Sequence, residues 1–531
     1  MGPEANIDSI LALEMKIEEG LGDTIQLKCA RNSLLNISTR VPPEILGQVF
    51  RWNVIPVGDF SELEKGSYNF LLVCHHWFEV ASGTPELWTH WGDNLKQWWR
   101  RYQRSGAAPI DLVLHTHYSA DPDNPLLFDG PLRDAVRARV ACDSIRTIHL
   151  GGSDGELLQS IVASLIPDGE DIQDSSIESL RVDNVSVNIS PLLVRYRFPR
   201  LRALSLYSRG ISSWDHLKIQ ATSLTTLSLW TVGSPVRITR CQFISTLSSY
   251  PNLQDLSLYE AMFPEDIGHG PTPRVPLRQL KKLRLIGLDE EVIPLLNWLE
   301  YPDKMDLVRL DISRCEEAIS EFFEPYLRDR IRRDGRFQNR MGIRLSGAPD
   351  SISFGVGALG QLDPLLPMMP GHGHPFVSFA VEFRARLPEG AIKRMCTNLL
   401  AVIPQDRVVE FKWGPNWGLM EEVDLPIAMP NVENLYLLTP VISDTFLRPN
   451  QLSHTKLLPS LRHLYLGNPT LQNGDDWRPL LDYLAHQTSG GQAISLGLEG
   501  KRPRIPLEVV REIERLVDGL DLRYFGDEDE E

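Results

Sequence analysis

A chain of 531 residues with 42% hydrophobic content and a formal charge of −16 is too long for one compact core and too apolar to be disordered. Seventy acidic residues stand against 54 basic ones without a large basic patch, which argues against a nucleic-acid partner. The six cysteines (Cys29, Cys74, Cys142, Cys241, Cys315 and Cys396) form no CxxC pair, which argues against a zinc ribbon or a disulfide framework and fits a reducing compartment.

The N-terminal ten residues lack both a basic region and an apolar region, so no secretory signal is expected. No apolar run approaches the roughly 18 residues of a membrane span. An intracellular location, in cytoplasm or nucleus, and no membrane partner are therefore expected.

Residues 1–37 read as a leading helix and linker, with Ile7, Ile10, Leu11, Ile17 and Leu21 at helical spacing. A helical module is expected over 38–104. Val41, Pro42, Pro43 and Glu44 open its first helix, where an N1 proline sacrifices no hydrogen bond. Ile45, Leu46, Val49 and Phe50 then make one apolar face. A loop with Pro56, Gly58, Asp59 and Gly66 leads to a second helix, Ser67 to Ser82, carrying Leu72, Val73, Cys74, Trp77 and Phe78. After the turn at Gly83-Thr84-Pro85 come Leu87 and Trp88. The run from Trp98 to Arg104 predicts an amphipathic helix whose tryptophans pack on the first repeat while its arginines face water.

Over 105–525 a repeat emerges. The pattern Leu-x-x-Leu-x-Leu, with Ile or Val allowed, occurs at Leu201/Leu204/Leu206, Leu224/Leu227/Leu229, Leu253/Leu256/Leu258, Leu280/Leu283/Leu285 and Leu307/Leu310/Ile312. Further copies begin at Ile145, Ile177, Val432 and Leu461. The five central copies lie 23 to 29 residues apart, within the roughly 20–29 residues of leucine-rich repeats. In four copies a proline (Pro199, Pro251, Pro430, Pro459) stands two positions ahead, where it ends a helix and releases the chain into a strand. Each unit thus reads as a short parallel strand followed by a helix, unable to bury its apolar face alone. Around Ile343–Leu345, Phe379–Val381 and Val409–Phe411 the rhythm weakens, and a loop from Gly355 to Pro375 intrudes. Residues 526–531 are an acidic tail.

The block Val41-Pro42-Pro43-Glu44-Ile45-Leu46, then Val49-Phe50, Leu72-Val73-Cys74-x-x-Trp77 and Leu87-Trp88 resembles an F-box. The whole chain resembles fungal F-box proteins with a leucine-rich-repeat-like C-terminal region. That resemblance implies the substrate receptor of a Skp–cullin–F-box ubiquitin ligase. The helices would dock on a Skp-type adaptor, and through it on a cullin–RING ligase, while the repeats hold a protein target. Pro42, Ile45, Leu46, Val49 and Phe50 would line the adaptor-facing helix. Val73, Cys74 and Trp77 would supply the second helix, with Leu87 and Trp88 closing the contact. Such a receptor performs no catalysis and needs no cofactor. The rival is a repeat scaffold in which these helices serve only as an N-terminal cap.

Two motifs resemble chemistry. Gly151-Gly-Ser153-Asp-Gly155 fits the GxSxG elbow of hydrolases, but a post-strand turn in which Ser153 or Asp154 caps a helix accounts for it better, and no triad partners can be assigned. Gly355-Val-Gly357-Ala-Leu-Gly360 fits GxGxxG, yet Pro364 and Pro367 would break the helix that a dinucleotide site requires, so it reads as loop. His372, His374, His75 and His76 have no acidic or thiol partner at metal-ligand spacing.

One further pattern concerns the target. Ser205/Tyr207, Ser228/Trp230 and Ser257/Tyr259 flank the second leucine of three units and should face away from the core. Stacked repeats would align Tyr207, Trp230 and Tyr259 into an aromatic stripe, with Arg284 and Asp311 continuing the row. The expected fold class is α/β: a short all-α F-box-like module followed by an irregular leucine-rich-repeat-like solenoid of parallel strands and helices.

Overall fold

The computed structural model describes residues 27, 41–54, 71–91 except 72, 95–116, 130–166 except 142 and 153, 172–207 except 185, 214–230, 236–259, 262–264, 274–313 except 304, 319–338, 341–348, 351–358, 379–384, 391–415, 429–437, 458–467, 477–500 except 492, and 506–524. They form a mixed α/β fold with extensive parallel pairing and twelve α-helices among the described residues. The chain divides into two compact units, Met1–Leu224 with Thr231–Ser234, and Thr225–Trp230 with Pro235–Glu531. Within residues 38–104 a short strand, His90–Trp91, pairs in parallel with the next strand of the chain.

The first unit begins with α1 (Pro43–Val54), α2 (His75–Ser82) and a 3-10 turn, Pro85–Trp88. Five strands then pair in parallel in chain order: β1 (His90–Trp91), β2 (Ile110–Thr116), β3 (Ile145–Gly152), β4 (Ser179–Asp183) and β5 (Ala203–Tyr207). Between them run α3 (Leu95–Ser105), α4 (Gly130–Ala141), α5 (Gly155–Leu165) and α6 (Ser190–Arg195). Two-residue alternation decides which side chains enter the core. Leu112, Ile148, Leu180 and Leu204 form one cross-strand row, Leu114, Leu150, Val182 and Leu206 the next, and all eight are buried. Each such side chain contributes about 1.5–3 kcal/mol when fully buried.

The second unit repeats the arrangement with β6 (Thr226–Trp230), β7 (Asp255–Tyr259), β8 (Lys282–Gly287) and β9 (Leu307–Ser313). Here Leu227, Leu256, Leu283 and Val308 align, as do Leu229, Leu258, Leu285 and Leu310. The expected strands in the weak stretch are present as β10 (Met341–Ala348), β12 (Phe379–Arg384) and β13 (Val408–Pro415), but an additional strand, β11 (Ser351–Ala358), lies among them. β9 pairs in parallel with β12, β12 antiparallel with β11, β11 antiparallel with β10, and β10 in parallel with β13. The rhythm weakens there because a hairpin is inserted into an otherwise parallel ladder. Gly355 and Gly357 belong to β11, which corrects the loop reading over 355–358. Parallel pairing resumes through β14 (Asn434–Leu437), β15 (His463–Gly467), β16 (Ser495–Gly500) and β17 (Gly519–Tyr524). Helices of this unit are α7 (Arg240–Ser248), α8 (Asp289–Trp298), α9 (Ile319–Arg333), α10 (Ala391–Val402), α11 (Arg478–Ser489) and α12 (Leu507–Leu516).

A recurrent turn introduces the strands. Leu201 N–H donates to the Phe198 carbonyl at 3.1 Å, Leu253 to Tyr250 at 3.2 Å, Val432 to Met429 at 3.4 Å and Leu461 to Leu458 at 3.2 Å. Pro199, Pro251, Pro430 and Pro459 therefore stand second in a four-residue turn, where their fixed φ suits the geometry. Leu224 to Ala221 and Leu280 to Leu277, at 3.1 Å each, close the same turn without proline. Ser223 Oγ donates to the Pro199 carbonyl at 2.9 Å and Ser460 Oγ to that of Pro430 at 2.6 Å, tying successive turns together.

The leading helix over 1–37, the loop from Pro56 to Gly66 and the acidic tail lie outside the described residues, apart from Leu27. The described second helix runs from His75 to Ser82 with extended Cys74 at its N-cap, and residues 67–70 and 72 of the expected helix lie outside the described residues. No described helix is long and apolar enough to cross a membrane.

Candidate docking module and sheet-face sites

Leu46, Phe50, Ala81, Leu87 and Trp88 form a small buried core of their own, with Val41, Leu71, Trp77 and Val80 packed against it. Phe50 and Trp77 meet with ring centroids 5.1 Å apart, tilted by 59°. Trp88 Nε1 donates to the Ala81 carbonyl at 2.8 Å, which satisfies the indole where it is buried. Arg51 bridges from α1 to Glu86 at 3.0 Å. Gly47 of α1 lies close to Thr84: a Cβ there would sit 3.2 Å from Thr84 Oγ1.

The four apolar residues expected on one face of α1 divide between two. Leu46 and Phe50 point into the module. Ile45 is 50% exposed, Val49 39% and Trp52 75%. Their spacing of four and three residues makes one outward stripe. Pro42, Pro43 and Glu44 are exposed at the start of the helix, Val73 and Phe78 are exposed large hydrophobics, Cys74 and Trp77 are half-buried, and Leu72 lies outside the described residues. Leu87 and Trp88, expected to close the contact, lie in the small core. Trp52 was not among the expected contact residues, although it continues the helical period from Ile45 and Val49.

Of the arginines of α3, Arg100 is exposed as expected and two depart from expectation. Arg101 is buried and donates to the His90 carbonyl, and Arg104 lies with its guanidinium 4.3 Å from the Trp88 ring centroid. The side chains of Trp98 and Trp99 lie outside the described residues.

On the sheet face of the second unit, Trp230 and Tyr259 stack at 5.2 Å with 19° between their planes, and Trp230 is 43% exposed. Registry places Ile286 and Asp311 next in that row. Arg284 lies one row away, between Ser257 and Arg309, which corrects the expected order. Asp311 is buried and accepts from Arg309 Nε at 3.1 Å through both oxygens, so its charge is engaged from within. Tyr207, the first member of the expected stripe, belongs to the first unit and pairs there with Asp183.

A second aromatic pair was not anticipated from the sequence. Tyr436 and Tyr465 stack at 4.5 Å and 5°, with Lys412 Nζ 4.8 Å from the Tyr436 ring centroid. Gly497 makes room for Tyr465, since a Cβ there would collide with its ring. Beside them, burial pushes the Glu410 carboxyl up despite the attraction of Lys412 at 3.4 Å.

The remaining motifs are placed in part. Asp154 caps α5 by accepting from Leu157 N–H at 2.9 Å, whereas Ser153, on which the hydrolase reading turns, lies outside the described residues. His149 is buried on β3 with Nε2 3.1 Å from Asp183 Oδ2. Burial raises the Asp183 carboxyl, but the His149 hydrogen bond and the Arg181 charge outweigh it and hold the group below its ordinary value. His75 pairs with Glu79 at 3.0 Å on α2. His372 and His374 lie outside the described residues, and among those described no three His, Cys, Asp or Glu side chains gather to hold a metal ion.

No family model matches the chain, and no curated protein matches it in sequence.

Proposed function

We propose that this chain is a substrate receptor of a Skp–cullin–F-box ubiquitin ligase, with an F-box-like module built on α1, α2 and the turn Pro85–Trp88. In this reading 105–525 is an irregular leucine-rich-repeat-like array that holds a protein target. The observation that carries it is the stripe of Ile45, Val49 and Trp52. These side chains face water although the module has an apolar core of its own in which side chains of their type would be stabilised. Exposed aromatic and aliphatic anchors of this kind are how a small helix contributes most of its binding energy to a partner. Parallel registry of the leucine rows supports the repeat-like reading of the sheet. The receptor performs no chemistry; it raises the local concentration of target lysines at the ligase.

A second reading, in which the helices only cap the repeats, is favoured by Leu87 and Trp88 lying in the module core and by β1 pairing with β2. Affinity purification of the full chain separates the two. The receptor reading predicts recovery of the adaptor and a cullin, both lost with Ile45→Asp. Their absence beside the well-folded native chain leaves the cap.

A further inference from the structure

The first four strands of the second unit carry an arrangement that goes beyond aromatic contact. Away from the leucine rows, Thr226, Asp255 and Lys282 form one registered row, Ser228, Ser257, Arg284 and Arg309 a second, and Trp230, Tyr259, Ile286 and Asp311 a third. Both acidic side chains have internal partners. Asp255 accepts from Ser257 Oγ at 3.3 Å, and Asp311 is buried against Arg309. Arg284 is half-buried and, among the described residues, has no hydrogen-bond or ion-pair partner. β12 adds Glu382 beside Asp311 in the third row, so acidic and basic residues are equal in number, but Lys282 and Arg284 have no ion-pair partner among the described residues and are left to an outside anion.

From this charge complementarity we infer that the face binds an acidic peptide segment containing an aromatic or large apolar residue. The apolar side chain rests on the stacked Trp230 and Tyr259, and a carboxylate of the segment pairs with Arg284. A planar guanidinium on a stiff strand presents a fork of donors matched to a carboxylate, and partial burial reduces the water that competes for it. The exposed indole edge supplies area at low entropic cost. Arg284 therefore acts as the selectivity residue, and Asp311, held by Arg309, does not. The inference rests on the proposal above that this sheet face holds the target.

The test uses the full chain and fluorescein-labelled peptides in which one phenylalanine is flanked by two glutamates on each side, or by two lysines, together with a glutamate peptide carrying alanine at the centre. Fluorescence anisotropy at low ionic strength should show the glutamate–phenylalanine peptide binding about tenfold more tightly than the lysine version, a difference of about 1.4 kcal/mol. Arg284→Ala and Arg284→Glu should each remove about that preference, Trp230→Ala should weaken the phenylalanine peptide towards the alanine one, and added salt should narrow the gap. Equal binding of acidic and basic peptides, no binding of either, or an unchanged preference in folded Arg284 variants overturns the inference. Adaptor binding by the same preparations separates the two failures. A chain that selects the acidic peptide but ignores the adaptor loses the ligase reading alone, and one that binds the adaptor without selecting the peptide loses this inference alone.

Discussion

Ile45 and Leu46 are neighbours in α1 with opposite environments, because one helical step rotates a side chain by about 100°. Leu46 and Phe50 turn towards Ala81, Leu87 and Trp88, while Ile45, Val49 and Trp52 turn to water. Phe50→Ala should therefore cost about 3–5 kcal/mol through lost burial and a residual cavity. Trp52→Ala should stay within about 0.5 kcal/mol because the side chain leaves no cavity. Urea unfolding followed by circular dichroism measures both, and a Trp52→Ala loss comparable with that of Phe50→Ala would show that the stripe is structural. The apolar character of these positions was legible in the sequence, but their division between core and surface was not. Positions 45, 46, 49 and 50 fit one broad apolar arc, and what divides it is where α2 and the turn Pro85–Trp88 lie.

The strands were the most legible elements, because the Leu-x-Leu core carries its own period and the structure aligns those leucines row on row. Val517, Leu520 and Leu522 fit the same pattern, so β17 was within reach of it. β2 and β16 were harder to see, since Pro109 and Ala493 stand where the first leucine would be. The β10–β11 hairpin was not legible because antiparallel pairing is specified by partners across the sheet rather than by a local repeat. Position also explains the missed tyrosines. Tyr436 and Tyr465 lie between their two leucines, whereas Tyr207, Trp230 and Tyr259 come directly after theirs. At this scale Gly497→Ala is informative. The new methyl group would force Tyr465 off Tyr436, with an expected cost of about 1–3 kcal/mol and a changed near-ultraviolet circular dichroism signal. An unchanged spectrum and melting temperature would mean that the tyrosine stack readily adjusts.

For the molecule as a whole, a helical module with an exposed apolar stripe, a ladder of parallel strands and a sheet face carrying the unpaired Arg284 are the features on which the proposed receptor rests. What the sequence conveyed here was the order of parts; the exposure that gives them meaning came from tertiary packing. The central claim is that the outward stripe of α1 binds a Skp-type adaptor. Its most direct test is titration calorimetry of the purified full chain with that adaptor, beside Ile45→Asp and Trp52→Ala variants of verified fold. The account predicts saturable binding by the native chain and a loss of at least about tenfold in each variant, as expected for anchors worth about 2 kcal/mol. No binding by the folded native chain, or equal binding by all three proteins, contradicts it.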